Sequence, residues 1–72
     1  MNYMERVEYL WGKYRAYSRQ AEQHEFVHLL MLDLTLNPAY NDLHSNYDEE
    51  HAKIFIRGIE KVLTRLGVEF DD

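Results

Sequence analysis

Apolar and polar positions alternate along the first half of the chain with the spacing of one long helix. Large side chains recur at alternating steps of four and three residues, which places them along one seam of a helix. The seam consists of Tyr3, Val7, Leu10, Tyr14, Tyr17, Ala21, His24, His28 and Met31. Asn2 and Glu5 have the spacing of a capping box. The pattern predicts a helix over about residues 3–36 that ends at Asn37-Pro38, since proline disfavours the helical conformation at the residue before it.

Within this helix, residues 26–36 are apolar on nearly every side, interrupted mainly by His28, Asp33 and Thr35. All-round apolarity is typical of a helix segment buried between other elements. We therefore expect this stretch to lie inside the protein. The alternation of leucine with polar residues over 32–36 also fits a short strand, although no partner strand is evident in the sequence.

A second helix is predicted over about residues 48–66, after a connection over residues 39–47 that has room for one helical turn. Three consecutive carboxylates at its start suit the positive end of the helix dipole. Gly67 is placed to end the helix in the left-handed conformation. The apolar positions of this helix recur at helical spacing and are Ala52, Phe55, Ile56, Ile59, Val62, Leu63 and Leu66.

The two predicted helices differ in length, at about 50 Å and about 28 Å for a rise of 1.5 Å per residue. An antiparallel hairpin of the two leaves the N-terminal part of the first helix uncovered. The apolar side chains exposed there are Val7, Leu10, Trp11, Tyr14 and Tyr17. An apolar patch of this size is typical of an interface, so we expect an all-α fold in which the hairpin dimerises into a helical bundle. The alternative is a three-helix bundle with a bend near residues 18–20.

Composition bounds the class of protein. The chain has 72 residues, with 8 Lys+Arg against 13 Asp+Glu, a formal net charge of −5 and no cysteine. We expect a single helical domain over residues 1–72 with neither a disulfide nor a thiolate metal site. No stretch approaches the ~20 apolar residues of a membrane span, and the N-terminus lacks a signal-peptide pattern. These features predict a soluble, cytoplasmic protein.

One short motif carries candidate metal chemistry. The segment with His24, Glu25 and His28 resembles the H-E-x-x-H motif of zinc metallopeptidases, in which two histidines on one helix face bind zinc and the glutamate is the general base. The resemblance covers five residues, and the extension to a third histidine is missing. We interpret the match as coincidental and predict no enzyme activity.

A second hypothesis is that the same three residues bind zinc, iron or manganese without peptidase activity. Glu25 and His28 have the Glu-x-x-His spacing of carboxylate-bridged two-metal bundles, and Asp48 and His51 repeat the spacing with aspartate. The alternative reads His24 and His28 as seam histidines whose ring nitrogens are hydrogen-bonded. We favour the alternative, so that no cofactor is expected.

Basic residues follow one side of the second helix at intervals of four. They are Lys53, Arg57, Lys61 and Arg65. Such a row could follow a phosphate backbone, which makes a nucleic-acid binder one alternative function. The net charge of −5 and the neighbouring carboxylates favour a solvated face, or a face that binds an acidic partner. Ile54 lies within this row and is out of place on a solvated face, as expected where a partner binds.

The functional hypothesis depends on the uncovered apolar and aromatic side chains of the first predicted helix. We predict a small acidic interaction protein, present as a homodimer or as a regulator or inhibitor subunit that binds a larger protein. The predicted partner-binding residues are Val7, Leu10, Trp11, Tyr14 and Tyr17. Neither nucleic acid nor a membrane is expected as a partner. A metal-binding helical protein is the second hypothesis.

Overall fold

Three helices make up the fold in the computed structural model, which describes residues 2–71. They are α1 (Tyr3–Gln20), α2 (Phe26–Ser45) and α3 (Glu49–Leu66), and a 3₁₀ turn at Gln23–Glu25 lies between α1 and α2. None of the described residues is in a strand. The all-α prediction is confirmed, and the described residues form three helices, as in the alternative with a bend near residues 18–20, not the two helices of the favoured hairpin.

The prediction of one continuous helix over residues 3–36 is wrong. α1 ends at Gln20, and the backbone of Ala21 (φ −68°, ψ 148°) and of Glu22 (φ −77°, ψ 159°) is extended. A contact between His44, near the end of α2, and Glu8, near the start of α1, shows that α2 runs back along α1. The physical reason is burial, because an unbroken helix cannot cover its own apolar seam, whereas a helix that folds back can.

The prediction that this helical region ends at Asn37-Pro38 is also wrong, because α2 continues through Pro38 to Ser45. Proline in a helix interior removes a hydrogen bond and costs about 3 kcal/mol. Pro38 lies on the exposed side of α2. Leu36 and Leu43, one on each side of it along the chain, are buried. Packing of the buried side therefore maintains the helix across a residue that local rules would place at its end.

α3 begins and ends within about one residue of the predicted bounds. The Asp48 side chain accepts a hydrogen bond from the Glu50 backbone N–H at 2.9 Å and caps the N-terminus. Gly67 has φ 77° in the left-handed region, and the Val68 N–H donates to the Leu63 carbonyl at 2.9 Å. This is the expected glycine-terminated C-cap, in which the chain folds back onto the last turn.

The core lies between the inward sides of the three helices. Its buried residues are Val7, Leu10, Tyr14, Leu29, Leu36, Leu43, Ala52, Phe55, Ile59 and Leu63. The longest dimension of the molecule is 35 Å, shorter than the about 50 Å of the helix first predicted. Contacts within the chain leave the outward sides of α2 and α3 uncovered.

Candidate interaction surfaces

The predicted partner-binding seam of α1 faces the interior of this fold. Val7, Leu10 and Tyr14 have no exposed surface. The expectation that these three side chains are exposed is therefore wrong for the single chain, because α3 packs along the seam and α2 folds back beside it. The predicted role of these three side chains in binding a partner requires them to be exposed, and in this fold they are buried.

Trp11 and Tyr17, the other two predicted partner-binding residues, are partly buried and engaged within the chain. The Trp11 ring stacks on Tyr40 of α2 with centroids 4.5 Å apart and 14° between the planes. The Tyr17 hydroxyl donates to the Glu25 carboxylate at 2.9 Å, and this bond raises the pKa of Tyr17. Both side chains hold α1 against the segment that follows it.

A polar cluster joins the start of α1 to the end of α2. The Glu8 carboxylate accepts a hydrogen bond of 2.8 Å from the Tyr40 hydroxyl and lies 2.6 Å from His44 Nε2. Burial, and then the bond to Glu8, raise the pKa of Tyr40 to about 12. The cluster thus links the two helices by polar contacts beside the stacked rings of Trp11 and Tyr40.

The contribution of Tyr40 to the stability of the folded chain should depend on pH in the alkaline range, which tests the cluster. An unfolded tyrosine loses its proton near pH ~10, whereas folded Tyr40 keeps it until about pH 12. Deprotonation therefore favours the unfolded chain, and the contribution of Tyr40 to stability is complete below about pH 10 and is lost on approaching pH 12. Urea unfolding followed by circular dichroism should show the stability difference between wild type and Tyr40→Phe to be constant from about pH 7 to 9 and to shrink above about pH 10. A difference that stays constant up to pH 12 would contradict the assignment.

The H-E-x-x-H residues do not share one regular helix. His24 and Glu25 lie in the 3₁₀ turn, and His28 lies in the first turn of α2. His24 is exposed, with Nδ1 3.3 Å from a Glu22 carboxylate oxygen, and Glu25 accepts the hydrogen bond from Tyr17. Among residues 2–71, no group of three or more His, Asp or Glu side chains is placed to hold a metal ion.

Asp48 and His51, the second candidate metal pair, have a local role at the start of α3. His51 Nδ1 lies 3.0 Å from Asp48 Oδ2, while Asp48 Oδ1 caps the helix. The backbone bond from Glu50, followed by the contact with His51, lowers the pKa of Asp48. An aspartate at this position is what a helix N-terminus favours.

The outward side of α2 carries a surface that we name the α2 apolar face. Its five residues are 46–71% exposed although each is large and apolar. They are Phe26, Val27, Leu30, Met31 and Leu34. Positions 27, 30, 31 and 34 recur at i, i+3, i+4 and i+7, so they form one stripe along two turns of the helix. The expectation that residues 26–36 are buried on every side is wrong for the single chain, since one side packs inward and the opposite side is bare.

The basic row of α3 lies on the outward side of that helix. Lys53, partly buried, pairs with Glu50 at 3.6 Å. Arg57, Lys61 and Arg65 are exposed, and Ile54 beside them is 66% exposed. This row and the α2 apolar face are the two outward surfaces whose composition departs from an ordinary solvated helix.

Comparison of the chain with protein-family models, curated proteins and solved structures finds no match. No helix among residues 2–71 combines the length and the apolar character needed to cross a membrane. The function is therefore inferred from the two surfaces themselves. The basic row is predicted by the sequence, whereas the exposure of the α2 apolar face is not, although residues 26–36 are apolar on nearly every side.

Proposed function

We propose that this chain is a protein–protein interaction module, a non-enzymatic regulator or inhibitor subunit that forms a homodimer through the α2 apolar face and acts by binding a larger protein. The observation that supports this proposal is the exposure of Phe26, Val27, Leu30, Met31 and Leu34 together on one side of one helix. Single exposed apolar residues are ordinary on protein surfaces, whereas a contiguous patch is typical of a binding site.

The size of the α2 apolar face supports pairing with a protein chain. Aliphatic side chains expose on the order of 100–150 Å² each, less than the ~150–250 Å² of an aromatic one, so the exposed fractions of the face correspond to about 300–500 Å² of apolar surface. This area lies within the range of about 300–600 Å² for the largest patch of a monomer, which is often functional. A standard interface buries about 800 Å² on each partner. Pairing through this face would therefore bury neighbouring polar residues as a rim around the apolar ones.

The uncharged character of the face favours a second copy as its occupant. No Lys, Arg, Asp or Glu lies on the outward side of α2 from Phe26 to Asn41, so two copies bring no like charges together there despite the net charge of −5. A two-fold axis near Leu30 would set Val27 of one chain beside Leu34 of the other in an antiparallel helix pair. Such pairing would also give residues 26–36 the burial that their composition predicts.

Sedimentation equilibrium over the micromolar range tests the proposal. The wild type should form a dimer, and Leu34→Glu should raise the dimer dissociation constant by at least about tenfold, because it buries an unpaired charge at the interface. Ala16→Glu is the matched control, since it adds the same charge to an exposed position on α1, and it should leave the dimer intact. Added salt should strengthen the dimer by screening the net charge. A wild type that stays monomeric, or an equal loss in both variants, would refute pairing through α2.

A further inference from the structure

We propose that the outward side of α3 binds an acidic helix of another protein. The surface, which we name the α3 basic face, consists of Ile54, Arg57, Gly58, Lys61 and Arg65. All five residues are exposed. The face lies on a different helix from the α2 apolar face, so the inference goes beyond the proposed dimer and holds for a monomer as well.

The cations of the α3 basic face form no ion pair within the described chain, although Glu60 lines the same surface depression as Arg57, Lys61 and Arg65. Arg6 Nη2 lies 3.8 Å from the Glu60 carboxylate and forms an ion pair with it. No ion pair joins Arg57, Lys61 or Arg65 to a carboxylate among residues 2–71. Each cation stands one helical turn from the next, an arrangement that is destabilising within a helix. Arg65 lies in the last turn, where a positive charge suits the helix dipole, but Arg57 and Lys61 have no such local reason. An acidic partner would relieve this repulsion.

Gly58 adds an independent observation at the centre of the same face. It lies within α3, where glycine is less favourable than alanine by about 1 kcal/mol. A Cβ atom built at this position meets nothing within 4 Å, so packing within the chain does not require glycine there. A missing side chain on an outward helix surface allows another helix to approach closely, because the distance between packed helices depends on the side chains at the contact.

Spacing and charge favour an acidic helix as the occupant. The three cations are about 6 Å apart along α3, which matches the spacing of carboxylates at every fourth position of a partner helix. Ile54, 66% exposed, and Gly58 lie beside this row and offer apolar contact and close approach to that helix. A nucleic-acid backbone would also match the cations, but it would leave Ile54 and the close approach at Gly58 unused.

A synthetic helical peptide with glutamate at every fourth position and leucine beside that row is the probe. At about 20 mM salt, where screening is weak, fluorescence anisotropy should show saturable binding of the labelled peptide to the full chain. Lys61→Glu should weaken binding at least about tenfold, since it replaces an attraction with a repulsion. Arg19→Glu, the matched charge reversal on an exposed residue of α1, should leave binding nearly unchanged. The Leu34→Glu variant should bind as the wild type does, which separates this face from the dimer.

Two glycine variants distinguish binding from stability. Gly58→Gln and Gly12→Gln both replace an exposed glycine within a helix, and a Cβ atom meets nothing within 4 Å at either position. Both variants should raise the thermal midpoint, because glutamine is the better helix former. Only Gly58→Gln should weaken peptide binding, by several-fold.

Three results would overturn the proposal. The first is no binding of the glutamate peptide at low salt, and the second is equal binding of a peptide with glutamine in place of glutamate. The third is binding of a DNA duplex that is tighter than binding of the glutamate peptide and is weakened in the same way by Lys61→Glu. That result would assign the face to nucleic acid.

Discussion

Ile59→Ala is expected to lower the free energy of unfolding by about 2–5 kcal/mol, the range for truncating a large aliphatic side chain in a core. Ile59 has no exposed surface and lies in the middle of the buried row of α3, between Phe55 and Leu63. A single core of this size rarely provides more than about 3–5 kcal/mol in total. The variant should therefore lose a large part of its stability, and urea or thermal unfolding followed by circular dichroism should show it.

Ile54→Ala provides the matched control for that loss. It is the same substitution on the same helix, but Ile54 is 66% exposed and Ile59 is fully buried. Surface substitutions usually change stability by less than about 0.5 kcal/mol, and alanine is the better helix former. Equal destabilisation by the two variants would mean that α3 does not pack with the face described here.

Tyr14→Phe is expected to lower the free energy of unfolding by about 1.5–3 kcal/mol, the range for a hydrogen bond to a charged group. The Tyr14 hydroxyl donates to the Asp33 carboxylate at 2.6 Å and lies 3.3 Å from the Leu29 carbonyl oxygen. Burial, followed by the bond to Asp33, raises the pKa of Tyr14 well above its ordinary value. Removing the hydroxyl leaves a partly buried carboxylate without that donor, while the ring still fills its place in the core.

A double-mutant cycle isolates this contact. Asp33→Leu removes the carboxylate, so the double variant Tyr14→Phe/Asp33→Leu should lose less stability than the sum of the two single losses. Urea unfolding at neutral pH measures all four proteins. Simple additivity would indicate that the hydroxyl and the carboxylate do not interact, and that α2 is not held to α1 at this point.

The prediction was most accurate where each signal is local. In α3, the capping aspartate, the apolar spacing and the terminal glycine all act within a few residues, and the helix spans nearly the predicted range. The predicted N-cap at Asn2 is confirmed by the hydrogen bond from the Glu5 N–H to Asn2 Oδ1 at 2.8 Å, and the Asn2 side-chain amide donates to the Glu5 carboxylate at 3.4 Å. Caps and turns of this kind depend on neighbours three or four residues away, which a single sequence displays.

The break between α1 and α2 has no comparable local signal. Ala21 and Glu22 are neither glycine nor proline, yet both are extended, while the real proline lies inside a helix. Contacts between residues far apart in the chain stabilise both features. The bond from Tyr14 to Asp33 and the stacking of Trp11 on Tyr40 form only when α2 folds back, and such tertiary contacts override local propensity.

For the candidate surfaces too, the sequence predicts some features and only the tertiary structure determines the others. Sequence alone established that the chain is helical, that the inward side of α3 is apolar and that a basic row follows its outward side, because residues three and four apart share a helix face wherever the helix lies. Tertiary structure decided which apolar stripe is covered. Once the chain turned at residues 21–22, Val7, Leu10 and Tyr14 were buried and the α2 apolar face was left in solvent. That choice depends on packing between distant segments, which periodicity along one segment does not encode.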